Sequence, residues 1–277
     1  MAVITISRGI KSGGEQLAIR LSQILGYKTI SHEVISDCSR KYNIMEQDLL
    51  EELENTPGLW QRLTHEHNRY LIYIKCALVD AVRQDNIIYF GHAGQLLLAG
   101  ISHVLKLRVE APIEDRIEKV MSEFHKNYDE AIDYIRQVDE QRRHWVKFLY
   151  DEDWHNPSLY DLTVNLQNMS LETVCKLVAD VANSPEFATT EKSVRQLNDI
   201  SLACEVKAAI ASDDKIWDQK VTVNADDGVI TLRGTAKNGQ LRDLIAETAS
   251  QVKGVKKCNV NISLLSDPLS KGKYGHE

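Results

Sequence analysis

The residues best placed to do chemistry stand at the start of the chain, in Ile4-Thr5-Ile6-Ser7-Arg8-Gly9-Ile10-Lys11-Ser12-Gly13-Gly14-Glu15-Gln16. A β-branched run leads into a glycine-bearing turn, and an amphipathic run follows. Such a turn aims backbone N–H groups at an anion, and the next helix N-terminus adds partial positive charge. The chemistry this suits is the holding of phosphate groups. Gly9 and Gly14 stand five apart, as in the phosphate-binding pattern GxxxxGK[ST]; Glu15 takes the lysine position and Gln16 the hydroxyl position. A tight turn that only lets strand and helix pack closely is the competing reading of that spacing.

Further along, Arg136, Asp139, Arg142 and Arg143 recur on one charged stretch at helical intervals. On pattern alone, a solvated ion-pair face explains them as well as an anion clamp does. His92 lies in Gly91-His92-Ala93-Gly94, directly after an apolar run. The five cysteines are widely spaced and form no CxxC, and His65 and His67 lack the i, i+4 spacing of a helical metal pair. No metal site is expected, and the cysteine usage suits a reducing cytoplasm.

The elements that must position these residues follow from periodicity. Apolar β-branched runs at 2–7, 86–90, 104–109 and 162–166 read as buried strands, with a short strand possible at 27–30. Amphipathic runs at 15–25, 31–42, 45–54, 60–84, 114–125, 128–149 (one helix or a pair) and 170–181 read as helices, with Ser31 as a candidate cap. Strands alternating with helices predict a parallel sheet flanked by helices, an α/β fold. Periodicity lapses around Pro185, which places a linker at 183–192. The order then changes to helix (199–210), strand (220–224), an Asp226-Asp227-Gly228 turn, strand (229–233), helix (240–252) and strand (255–263). The expected domains are therefore 1–184 and a small α+β unit at 193–265, with a flexible tail at 266–277.

The order of several segments resembles the cytidylate kinase-like family of P-loop nucleoside monophosphate kinases. Ile6-Ser7-Arg8-Gly9 with Ser12-Gly13-Gly14 begins the match. Gly91-His92-Ala93-Gly94, Glu110-Ala111-Pro112-Ile113-Glu114-Asp115-Arg116-Ile117 and Asp139-Glu140-Gln141-Arg142-Arg143 continue it. Trp154-His155-Asn156-Pro157-Ser158-Leu159-Tyr160-Asp161-Leu162 completes it before the last strand. The resemblance covers about residues 1–182 and implies a P-loop sheet and transfer of the ATP γ-phosphoryl to CMP or dCMP with Mg²⁺. By position it implies that Gly9, Lys11, Ser12, Gly13 and Gly14, with Glu15 and Gln16, surround the ATP phosphates. Arg116, Arg136 and Arg142 become transition-state or phosphate clamps, Asp139 and Arg142 border the nucleoside, and Ser31, His32, Glu33 and His92 face the acceptor nucleotide. Glu15 and His92 stand where the family usually has basic residues. They favour an alternative, a nucleotide- or anion-sensing pseudokinase.

The second unit resembles a BON domain through Val221-Thr222-Val223, Asp227-Gly228-Val229-Ile230-Thr231-Leu232-Arg233-Gly234-Thr235 and Val252-Lys253-Gly254-Val255. That resemblance implies a regulatory or docking module for a protein partner, a small ligand or a phospholipid. Composition bounds both units: 43% hydrophobic and 26% charged residues describe a globular chain. The net charge of -7 lies wholly in residues 1–184, where 20 Lys and Arg face 27 Asp and Glu. Residues 185–277 carry 13 of each sign. A nucleic acid polymer is thus an improbable partner. No leader or membrane-spanning segment is expected.

Overall fold

β1 (Val3–Arg8) is the middle strand of a five-stranded parallel sheet. Its companions are β2 (Lys28–Ile30), β3 (Ile87–Tyr89), β4 (Val104–Glu110) and β5 (Leu162–Asn165), in the order β2-β3-β1-β4-β5. The computed structural model describes residues 2–54 and 66–265. The expected tail at 266–277, and the predicted start at Trp60 of the helix before the second long strand, lie outside the described residues.

Alternation along β1 feeds two cores, because successive side chains in a strand point to opposite faces. Ile4 and Ile6 pack with Leu17 and Leu21 of α1 (Gly14–Leu25) and with Val174 and Val178 of α8 (Leu171–Ala182). Val3 joins the other face, where Ile74 and Leu78 of α4 (Glu66–Val82) meet Val34 and Cys38 of α2 (Glu33–Tyr42) and Leu49 of α3 (Glu46–Glu54). The short α5 (Gly94–Leu97) follows β3, and α6 (Ile113–Phe124) follows β4. The charged stretch at 128–149 is one helix, α7 (Tyr128–Tyr150), opened by a capping box in which Asn127 and Glu130 bond each other's backbone N–H. Ser31 does not cap α2. His32 holds that position without a side-chain bond, and the Glu33 carboxylate instead accepts from the Ser31 N–H at 2.8 Å.

The second unit contains α9 (Glu191–Ser212), β6 (Lys220–Asp226), β7 (Val229–Ala236), α10 (Gly239–Gln251) and β8 (Lys257–Leu264). β6 and β7 form an antiparallel hairpin, and β8 pairs parallel with β7. The hairpin turn has positive φ at both Asp227 (44°) and Gly228 (82°), the backbone that a right-twisted two-residue connection needs. α9 starts eight residues before the expected 199. Thr190 accepts from the Ser193 N–H at 3.1 Å and caps the extra turns, which sit in a polar stretch without apolar periodicity.

α9 belongs to both units. Leu197, Cys204, Ala208 and Ala211 enter the core around α4, whereas Val206 and Ile210 enter the core of the small sheet with Ile230, Leu232 and Ile245. Polar contacts reinforce the seam: Arg69 pairs with Asp214 at 2.7 Å and donates to the Ala211 carbonyl, and Tyr73 and Ser212 share a hydroxyl bond of 3.1 Å. No described helix is long and apolar enough to cross a membrane.

Candidate active site

The end of β1, the glycine turn and the start of α1 are packed under arginines. Gly13 has φ of 92° at the helix N-cap, a backbone that glycine adopts without strain. A Cβ on Gly9 would stand 2.9 Å from the Arg116 guanidinium, and one on Gly14 would stand 2.4 Å from Cδ of Arg8. Cationic side chains therefore lie directly against the turn at both positions. Ser12, 1% exposed, donates to the carbonyls of Gly9 (3.0 Å) and Val109 (3.2 Å), so its hydroxyl ties the turn to the end of β4.

Asp139, in the middle of α7, braces the turn from above. One carboxylate oxygen accepts from the Ile10 N–H at 2.8 Å, and the other pairs with Arg116, whose Nε donates to the Ile10 carbonyl at 2.8 Å. Lys11 turns away from the turn. Its Nζ bonds Glu123 at 2.5 Å and lies 5.1 Å from the centre of the Phe124 ring on α6.

Arg8, Arg142 and His92 form the wall on the other side. Arg142 donates Nη1 to the Arg8 carbonyl at 3.0 Å, and its Nε is buried without a partner. Burial, with Arg8 as the next cause, pushes the Arg142 guanidinium down to about 10. Burial also lowers the pKa of Arg8, opposed by the charges of Tyr89 and Glu15. His92 is pushed down to about 3, first by burial and then by Arg142, Arg8 and His32, so it is neutral at pH 7. A cleft of about 340 Å³ runs from this wall to Ile10, along Tyr134, Gln137, Val138 and Gln141 of α7.

Trp154 backs the wall, and its own position is fixed by a buried network. Its indole N–H donates to Ser7 Oγ at 2.9 Å, and its carbonyl accepts from Tyr160 (2.9 Å) and Arg108 (2.8 Å). The segment 154–162 thus supports the site from behind rather than lining it throughout.

The structure therefore gathers Gly9, Gly13, Gly14, Arg116, Asp139, Arg142 and His92 around one turn and cleft. Ser31 joins their rim through its hydroxyl, which donates to the Phe90 carbonyl at 3.3 Å, and His32 and Glu33 are exposed beside it. Glu15 and Gln16 are exposed on the first turn of α1. Arg136 stands apart: it is 78% exposed and faces Asp133 at 3.9 Å. Arg8 is the residue that sequence reasoning passed over. Its signal was available, since it ends the strand that feeds the glycine turn. Among the described residues no group of three or more His, Cys, Asp or Glu could hold a metal ion.

The Cytidylate kinase-like family matches residues 3–168, and the BON domain matches residues 198–265. A cytidylate kinase of Sulfolobus acidocaldarius is 32% identical over 100 residues, covering 35% of this chain and 53% of its own, so the chain spans about half of that relative. A cytidylate kinase of Pyrococcus horikoshii is 27% identical over 176 residues, covering 64% of this chain and 85% of its own. The fold is shared with an uncharacterized protein from Eubacterium ventriosum at a TM-score of 0.50 and 14% identity, over 66% of this chain and 99% of that one. With the family matched across more than half of its length, and with the parallel sheet and glycine turn in place, the chain belongs to the Cytidylate kinase-like family and carries a C-terminal BON domain.

Proposed function

We propose that the first unit transfers the γ-phosphoryl of ATP to CMP or dCMP, and that the BON domain is its docking or regulatory module. The observation that carries this reading is the convergence of Arg8, Arg116 and Arg142 on a glycine turn at the end of the middle strand. Phosphoryl transfer asks little covalent chemistry of a protein. It needs phosphates held by backbone N–H groups and positive charge on the moving group.

ATP phosphates suit this turn because Arg116 and Arg8 pack directly against Gly9 and Gly14, and because Arg142 Nε is a buried donor without a hydrogen-bond partner. Gly9 to Gly14 would hold the phosphates through the backbone, and Arg116 would turn from Asp139 to meet them. The acceptor would lie in the cleft along α7, with Arg142 at its phosphate and His92 as a neutral hydrogen-bonding group. Mg²⁺, which neutralises phosphate charge in such reactions, would be held mainly by the phosphates and water. The cysteines are consistent with a cytoplasmic setting, because Cys38, Cys76, Cys175 and Cys204 are buried free thiols. The BON domain would take a protein partner, a small ligand or a phospholipid surface.

A second reading has its own observation. Glu15 puts a carboxylate at the usual lysine position while Lys11 is engaged by Glu123, which favours a nucleotide-sensing unit without turnover. A coupled ATP/CMP assay on the full chain separates the two. Turnover with CMP or dCMP supports the kinase. Nucleotide binding without turnover on any pyrimidine monophosphate supports the sensor.

A further inference from the structure

The arginines packed around the site come in two kinds, buried Arg108 and Arg116 and half-buried Arg8 and Arg142. Arg108 and Arg116 are compensated. Arg108 pairs with Glu110 and donates to the Trp154 carbonyl and Tyr160 hydroxyl, and Arg116 pairs with Asp139 and donates to the Ile10 carbonyl. Each already has a carboxylate partner. Arg8 and Arg142 are different. Among the described residues neither makes a salt bridge, and Arg142 spends one N–H on the Arg8 carbonyl while its Nε faces nothing. The Arg8 guanidinium lies 5.5 Å from the centre of the Phe90 ring, and its Cδ packs against Gly14, the first residue of α1.

Two guanidiniums sharing one wall repel each other, and their burial weakens the screening by water. Such a pair is stabilised by an anion placed between them. The position is telling, because Arg8 lies against the glycine turn and Arg142 lines the cleft along α7. Lys11, the other cation of the turn, is held away by its 2.5 Å contact to Glu123. Glu15, where a phosphate-binding loop ordinarily has lysine, is one of the charges acting on Arg8.

We propose that Arg8 supplies the positive charge to the bound phosphoryl groups that a loop lysine supplies elsewhere, with Arg142 beside it. The cation has moved from the start of the helix to the end of the strand. This explains how the chain holds a phosphate ligand with a carboxylate at the lysine position. The inference rests on the nucleotide-binding reading above and assigns a residue within it.

The test is calorimetric titration of the full chain with MgATP at low salt, for wild type, Arg8→Met, Arg8→Lys and Lys11→Met, with the melting temperature of each protein alone. Arg8→Met is expected to weaken ATP binding at least tenfold more than Lys11→Met does. Arg8→Lys is expected to recover part of the loss. In the absence of ATP, Arg8→Met is expected to melt no lower than wild type, because Arg8 has no salt-bridge partner among the described residues and lies close to the Arg142 guanidinium. ATP affinity within twofold of wild type in both Arg8 variants overturns the proposal, as does a larger loss in Lys11→Met. Melting temperatures lowered by more than about 10 °C in both Arg8 variants would assign Arg8 to the fold and also overturn it. A wild-type protein that binds no ATP is a separate outcome, and it removes the nucleotide reading itself.

Discussion

The Asp139 carboxylate accepts the backbone N–H of Ile10 at 2.8 Å, so the middle of α7 holds the tip of the glycine turn. The same carboxylate neutralises Arg116, whose guanidinium covers Gly9. One acid thus sets the backbone of the turn and stores the arginine that would meet a phosphate. Asp139→Asn keeps an acceptor for Ile10 but abolishes the charge. The expected result is a loss of about 2 kcal/mol of stability, read as a lower urea midpoint, because a mostly buried guanidinium loses its partner. An unchanged midpoint would show that the brace is not coupled to folding.

His92 gives a pH dependence with a definite sign. Its folded pKa of about 3 lies below the ordinary value of 6.5, so the unfolded chain binds the proton first. The stability it allows is full above pH 6.5 and falls as the pH drops from there toward 3. At pH 5 the expected loss is up to about 2 kcal/mol. His92→Gln should flatten that part of the stability curve. Equal slopes for wild type and variant between pH 7 and 5 would count against a neutral buried His92.

Glu15→Lys restores the usual charge at the helix start and adds a cation near Arg8. MgATP affinity is expected to rise about threefold to tenfold at low salt and to return toward wild type as salt screens the added charge. Titration at two ionic strengths checks this, and weaker binding at both would argue against phosphates seated at this turn.

The two units should unfold together. α9 contributes Leu197, Cys204 and Ala208 to one core and Val206 and Ile210 to the other. Calorimetry of the wild type is expected to show one transition. Ala208→Glu, which buries a charge at the α4–α9 seam, is expected to split it into two. Two resolved transitions in the wild type would contradict this account.

Gly234, paired with Val221 in the β6–β7 ladder, has φ of 143°, and a Cβ there would stand 1.9 Å from the carbonyl oxygen of the adjacent Lys220. Gly234→Ala is expected to cost about 3 kcal/mol through backbone strain and displacement of β6. Hydrogen exchange confined to β6 and β7 would locate the damage.

By itself the sequence determined the strands, most of the helices and the family of each unit. Those depend on local patterns: β-branched runs for strands, 3.6-residue spacing for helices, and glycine where a turn needs it. The start of α9 was not legible, because its cap lies in a polar stretch and its first turns are stabilised by packing on another unit. The cluster of arginines could be read only in part. Arg116 and Arg142 were named from their segments, but their fates differ, since Arg116 meets Asp139 and Arg142 meets no carboxylate among the described residues. Arg136 lies on the same helix as Arg142, yet each residue turns the helix by about 100°, and half-buried Arg142 shares the side of buried Ile135 and Trp145 while Arg136 faces solvent. Lys11 lies inside the glycine turn in the sequence, but Glu123, more than a hundred residues away, holds its ammonium. Which cations face the turn is decided by long-range partners, and those only the tertiary structure supplies.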